Sequence, residues 1–209
     1  MDLKALMTMV LIAVPAAAAE KERDFTHSGP YVQAAAMKTI NSFEPSGTAP
    51  TGWGFSAGAG YRFSSWYAVQ VDYQRGEMED SDRFVGGGAD VSGNIETTNW
   101  SVMGSGKLYP LASSGIRFQP YALVGMGILG AKVSTRLQVS LCSPVCVPSS
   151  DTTTNTSDAG FAIKYGGGAD IHITERIYGF VDYAFYHSIQ AAIEGFDFHA
   201  IGGGVGVRW

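Results

Sequence analysis

The chain has 209 residues, of which 27 are glycine and 12% aromatic, and a formal charge of −5. No basic block interrupts that mildly acidic balance, which argues against a nucleic-acid-binding surface. The length sets a single domain, and the glycine and aromatic contents are high for a soluble one.

Residues 1–19 read as a cleaved secretory signal. Lys4 supplies the positive start, residues 5–14 form an uncharged, mainly apolar run, and Pro15 breaks it. Ala17, Ala18 and Ala19 then offer a small-residue cleavage site before Glu20. The run falls short of the ~20 apolar residues a membrane helix needs, and no later stretch reaches that length. Removing it takes away Asp2 and Lys4, one charge of each sign, so the balance is unchanged. Residues 20–209 are expected to form one domain. In a membrane that domain has to be a closed barrel, because open strand edges leave backbone groups unpaired in hydrocarbon.

Eight segments then alternate with period 2, each near the ~9–11 residues of a tilted membrane strand. The first covers residues 29–40. The second, 52–63, sets Trp53, Phe55, Ala57, Ala59, Tyr61 and Phe63 against Gly54, Ser56, Gly58, Gly60 and Arg62. The third, 67–75, opposes Val69, Val71 and Tyr73 to Gln70, Asp72 and Gln74. The fourth, 97–109, opposes Trp100, Val102 and Leu108 to Ser101, Ser105 and Lys107. In the fifth, 118–132, both faces are apolar or glycine, so its facing stays open. The sixth, 161–173, sets Ile163, Tyr165 and Ile171 against Lys164, Gly166, Gly168, Asp170 and His172. The seventh, 177–187, opposes Val181, Tyr183 and Phe185 to Phe180, Asp182 and Ala184. The last strand carries Ile201, Gly203, Val205, Val207 and Trp209 on one face and Ala200, Gly202, Gly204, Gly206 and Arg208 on the other.

Connection lengths alternate as well. Those at 41–51, 76–96, 133–160 and 188–195 are expected to be long, and those at 64–66, 110–117 and 174–176 short. Short periplasmic turns and long external loops are the pattern of an outer-membrane barrel with both termini in the periplasm. The fold class expected is all-β, an eight-stranded antiparallel transmembrane barrel with up-and-down meander order. A shift of 110 residues superposes Gly58 on Gly168, Asp72 on Asp182 and Tyr73 on Tyr183, which would place each aspartate opposite a glycine across its hairpin.

The terminal residues 204–209, Gly-Val-Gly-Val-Arg-Trp, resemble the C-terminal signal of the small OmpA-like, opacity-type outer-membrane barrel proteins. So do residues 115–121 entering the fifth strand, and the Val-Asp-Tyr triplets at 71–73 and 181–183. Trp209 stands where that family more often has phenylalanine. The resemblance covers the mature chain. It implies the outer membrane of a Gram-negative-type bacterium, with Ile201, Val205, Val207 and Trp209 read by the barrel-assembly machinery.

Seven charged residues fall on the inward faces: Arg62, Lys107, Lys164 and Arg208 against Asp72, Asp170 and Asp182. Side chains nearly fill an interior of eight strands, and buried charge is costly unpaired, so these residues are expected to form a plug-like network. The sharper alternative is a gate or narrow ion path. Cys142 and Cys146 lie close together in the longest external connection, where an oxidising compartment favours a local disulfide. Residues 148–158, rich in Ser, Thr, Asp and Asn, read as a solvated loop tip, and Phe84 and Val85 as exposed apolar residues beside three glycines.

His187, Ser188 and Glu194 are the most tempting catalytic grouping, similar to the apparatus of barrel-shaped lipid A deacylases. Adjacent strand residues point to opposite faces, however, so His187 and Ser188 cannot meet. His199 is expected on the lipid side near the outer rim. The glycine triplets at 86–88 and 166–168 lack the helix and lysine of a phosphate loop. No catalytic residue, metal or cofactor is expected. The function expected is structural, in envelope integrity, with external loops available for surface contact or adhesion; the alternatives are a small channel and a lipid A-modifying enzyme. Expected partners are outer-membrane lipid and lipopolysaccharide, the assembly machinery, and host or surface ligands, with the protein itself monomeric.

Overall fold

The computed structural model describes residues 24–41, 51–86, 89–112, 116–142, 146–190 and 197–209. The expected signal and cleavage site, the glycines at 87 and 88, the span 143–145 between the cysteines, and Glu194 lie outside the described residues. Eight strands run in chain order: β1 (Gly29–Asn41), β2 (Thr51–Ser64), β3 (Tyr67–Gly86), β4 (Ala89–Leu108), β5 (Phe118–Cys142), β6 (Cys146–His172), β7 (Ile177–Gln190) and β8 (Phe198–Arg208). Each pairs antiparallel with its neighbour, and β1 meets β8 from Tyr31 opposite Arg208 to Asn41 opposite Phe198, closing the barrel. Closure leaves no open edge at the height where all eight strands are paired.

The faces divide as the alternation predicts. Val71, Val102, Val181, Ile201 and Val205 point outward and are exposed, while Gln70, Asp72, Ser101, Ser105 and Lys107 are buried within. β5, left open by its sequence, turns Tyr121, Leu123 and Leu129 inward and Val124, Met126 and Ile128 outward. Outward aromatic residues form two belts, with Tyr61, Phe63, Trp66, Phe118 and Trp209 at one end and Trp53, Phe55, Tyr73, Trp100 and Phe161 towards the other.

The end holding Trp209 also holds the three short turns. Tyr109 N donates to Trp66 O at 2.8 Å there, and Thr174 Oγ1 caps the β6–β7 turn by accepting from Ile177 N at 2.9 Å. This is the periplasmic end under the pattern of short inner turns.

Two expectations about the opposite end are corrected. The connections read as long loops at 76–96 and 133–160 are mostly strand: β3 and β4 stay paired up to Gly86 opposite Ala89, and β5 and β6 up to Cys142 opposite Cys146. Residues 148–158, read as a loop tip, belong to β6, and Phe84, read as a loop residue, pairs with Val91. The physical reason is that hydrophobic alternation is imposed by lipid. Above the membrane it disappears, while backbone pairing and β-branched residues such as Thr152, Thr153, Thr154 and Thr156 continue the ladder. Among the described residues β6 pairs with β7 from Phe161 downward, and its upper half pairs with β5. The four strands β3 to β6 therefore project beyond the rest of the wall as one sheet.

Candidate functional site

The interior is layered from the periplasmic mouth upward. At the mouth the segment before β1 folds inward. Asp24 accepts from Thr26 N at 2.8 Å and from Thr26 Oγ1 at 2.7 Å, a tight turn that drives Phe25 into the barrel. Those two hydrogen bonds hold the Asp24 carboxyl below its usual 3.8, so the turn is stabilised above that range and loosens as pH falls through the lowered value. Phe25 is buried, its ring 5.4 Å from that of His172, and its carbonyl accepts from Arg208 Nη1 at 3.1 Å and Gln119 Nε2 at 3.3 Å. The segment thus stoppers the mouth and ties the start of the barrel to its last strand. Its sequence signal is a lone aromatic within an otherwise charged stretch, flanked by Asp24 and Thr26.

Above Phe25 lie the predicted charges. Arg62 donates to Gln119 Oε1 at 2.7 Å and to the carbonyls of Ser64 and Ser65, with its guanidinium 4.2 Å from the Tyr109 ring centre. Asp170 accepts from the Tyr109 hydroxyl at 3.0 Å. Lys107 donates to Gln33 at 3.2 Å and lies 4.4 Å from the ring centre of Tyr121. Lys164 and Asp72 form a buried ion pair at 2.9 Å, with Gln70 Nε2 also donating to Asp72 at 3.0 Å. Asp182 sits opposite Gly168 on one side and Gly202 on the other.

The predicted charges thus share one interior, but only Lys164 and Asp72 among the described members meet directly. The other cations are held largely by amides, carbonyls and aromatic faces. Alternation had set Phe180 on the inward face of β7, but sequence reasoning missed the rest of this aromatic component: Tyr31, Tyr109, Tyr121, Tyr178 and Tyr186 also point inward and are buried.

Glycines make room for the rings. A Cβ on Gly60 would stand 2.5 Å from Tyr31, one on Gly168 2.7 Å from the Tyr121 hydroxyl, and one on Gly206 2.2 Å from Tyr178. Each of these rings therefore lies flat across a glycine of a neighbouring strand. The predicted hairpin symmetry holds in register, with Gly58 opposite Asp72 and Gly168 opposite Asp182. The space at Gly168 is taken by Tyr121 rather than left to the aspartate.

Beside the Lys164–Asp72 pair a cavity of about 20 Å³ remains, room for a single water. Higher up, Thr39 Oγ1, Asn99 and Ser101 Oγ are buried without a protein partner among the described residues. Asp170 Oδ1, both ring nitrogens of His172 and Arg208 Nε stand likewise nearer the mouth, so such atoms are spread over the height of the interior.

His187 and Ser188 do face opposite ways. His187 is exposed and its Nδ1 lies 2.9 Å from Asp197, while Ser188 pairs with buried Ala162. His199 faces outward near the outer belt, its Nδ1 2.5 Å from the Tyr183 hydroxyl. Cys142 and Cys146 are the last cross-strand pair of the β5–β6 hairpin.

Comparison with known proteins agrees with this architecture. Among solved structures, the chain is similar to the outer membrane protein OprG of Pseudomonas aeruginosa, at 13% identity over 89% of this chain and 99% of that one, with a TM-score of 0.50. It is also similar to the Neisserial surface protein A, at 17% identity over 88% and 99% with a TM-score of 0.48. For Ail, the attachment invasion locus protein of Yersinia pestis, the values are 14% identity over 87% and 97%, with a TM-score of 0.49. At 13% identity the likeness to OprG speaks to fold alone. No curated protein matches the chain in sequence. The family model described as outer membrane protein beta-barrel domain matches residues 5–208. With that match spanning nearly the whole chain, on a closed eight-stranded wall belted with aromatics, the chain belongs to the outer membrane protein beta-barrel domain family and is a protein of the bacterial outer membrane.

Proposed function

We propose that this protein is a non-catalytic structural barrel of the envelope, its interior plugged and its contacts made from the projecting sheet. The observation that carries the reading is the filled lumen. From Phe25 through Arg62, Tyr109, Lys107 and Lys164 to Tyr186, the inward side chains are buried and engaged with one another. A filled interior leaves recognition to the outer surface, where β3 to β6 offer a rigid paired scaffold. In this reading Arg62, Asp72, Lys107, Lys164, Asp170, Asp182 and Arg208 serve stability and exclude water. The outward face of β8, with Ile201, Val205, Val207 and Trp209, serves as the assembly signal, and the barrel works as a monomer. A disulfide between Cys142 and Cys146 would fasten the tip of the longest hairpin, shaping it more than adding global stability, since the ring is small.

The test is conductance of refolded mature protein in planar bilayers, with heat-modifiable gel mobility to establish folding. A folded and electrically silent barrel is expected. Reproducible openings abolished by substituting Lys107 or Lys164 would replace this reading with that of a small channel.

A further inference from the structure

The outer wall carries a second built feature, unconnected with the lumen. On four adjacent strands the outward side chains change from apolar to polar within one cross-strand rung of each other. β3 passes from Tyr73 to Arg75, β4 from Trp100 to Thr98, β5 from Ile128 to Lys132 and β6 from Phe161 to Ser157. That level marks the border between hydrocarbon and headgroups. A groove of about 530 Å³ crosses it, lined below by Tyr73, at its middle by Arg75 and Trp100 side by side, and on the next rung by Thr98, Lys132 and Ser157.

The groove has a physical cause. Trp100 lies flat against β5 at Gly130, where a Cβ would come within 2.3 Å of the indole, and the next residue along the row is the small Ala159. An indole laid against the wall beside small residues leaves a trough, with Arg75 on one bank and Lys132 on the other.

We propose that this groove binds a phosphorylated glycolipid of the outer leaflet. The phosphate sits between Arg75 and Lys132, the hydroxyls of Thr98 and Ser157 donate to phosphate or sugar oxygens, and an acyl chain runs down over Tyr73 and Trp100. Charge complementarity at headgroup depth, directly above an aromatic floor, selects an anionic amphiphile over a neutral one. Two carboxylates temper the site. Glu77 holds Arg75 at 3.1 Å in an exposed pair that the phosphate has to outcompete, and Asp158 also lines the groove. The inference rests on the outer-membrane placement and not on the plugged interior, so conductance and lipid binding can fail separately.

The experiment is a titration of the folded full-length mature barrel with bis-phosphorylated lipid A, read by native mass spectrometry. Each variant is first checked for the heat-modifiable gel shift. One lipid A is expected to bind per barrel. The double substitution R75Q/K132Q should weaken it about tenfold or more, given roughly 1 kcal/mol per basic residue at a charged lipid surface. A159L, which fills the trough while leaving both charges, should weaken it as well, and E77Q should strengthen it. K38Q removes an outward lysine that does not line the groove and should change nothing. The proposal is overturned if R75Q/K132Q or A159L binds as the parent does, if K38Q loses as much, or if dephosphorylated lipid A binds equally. Competition by inorganic phosphate with the same residue dependence would reassign the site to a free anion and overturn it too.

Discussion

Lys164 and Asp72 lie 92 positions apart in the chain and meet at 2.9 Å inside the barrel, each nearly excluded from solvent. Removing one partner of such a pair leaves an uncompensated buried charge. K164M is therefore expected to destabilise the barrel by about 3 kcal/mol, while K164M/D72L, which removes both charges, should recover most of that loss. Urea unfolding in lipid vesicles measures it, and equal destabilisation by the single and double variants would show that the pair is not a unit. At this scale the sequence was informative about position and silent about partnership. That Lys164 and Asp72 both point inward follows from period 2, because lipid on the opposite face forces the choice. Which inward residue each one meets depends on strand tilt and on closure of β1 upon β8, neither of which leaves a local mark. For the tyrosines, too, partnership left no mark: alternation with Asp182 sets Tyr178 on the inward face of β7, but the seating of its ring across Gly206 of β8 depends on the register between those strands.

At the level of single strands, β8 is short, closes the barrel and presents Val205 to lipid. V205R should cost up to about 3 kcal/mol, depending on depth, and lower the yield of protease-resistant inserted protein. Normal yield would contradict the facing of β8. The long strands make a different prediction. Residues 152–156 pair in register with residues 133–137, so deleting either stretch alone slips every pair above it. Deleting both keeps β5 in register with β6 but still slips it against β4, where residues 133–137 face residues 93–97, so by gel mobility the double deletion should fold better than either single one without reaching the parent. Period 2 disclosed β7 and β8 almost to their ends because lipid lies outside nearly all of them. It lost β5 and β6 halfway, where water bathes both faces of the sheet and no side-chain pattern is required of a paired backbone.

As a whole molecule the barrel is closed twice, by the β1–β8 seam and by Phe25 beneath the lumen. Because Phe25 bonds to Arg208 and Gln119 through its backbone carbonyl, deleting residues 24–27 removes two acceptor contacts and a buried ring together. That truncation is expected to lower stability by about 3 kcal/mol, the scale of losing a buried phenylalanine, without producing conductance, since the Arg62 to Lys164 layers still fill the passage. Current through the truncated barrel would instead make the mouth segment the principal seal.

The unequal heights of the wall have a consequence for what can reach the protein. β5 continues ten residues beyond Lys132 to Cys142, which amounts to ~33 Å along the strand and about 25 Å above the lipid once tilted. A broad, flat object such as another cell's surface is held off at that distance and touches only the hairpin crest.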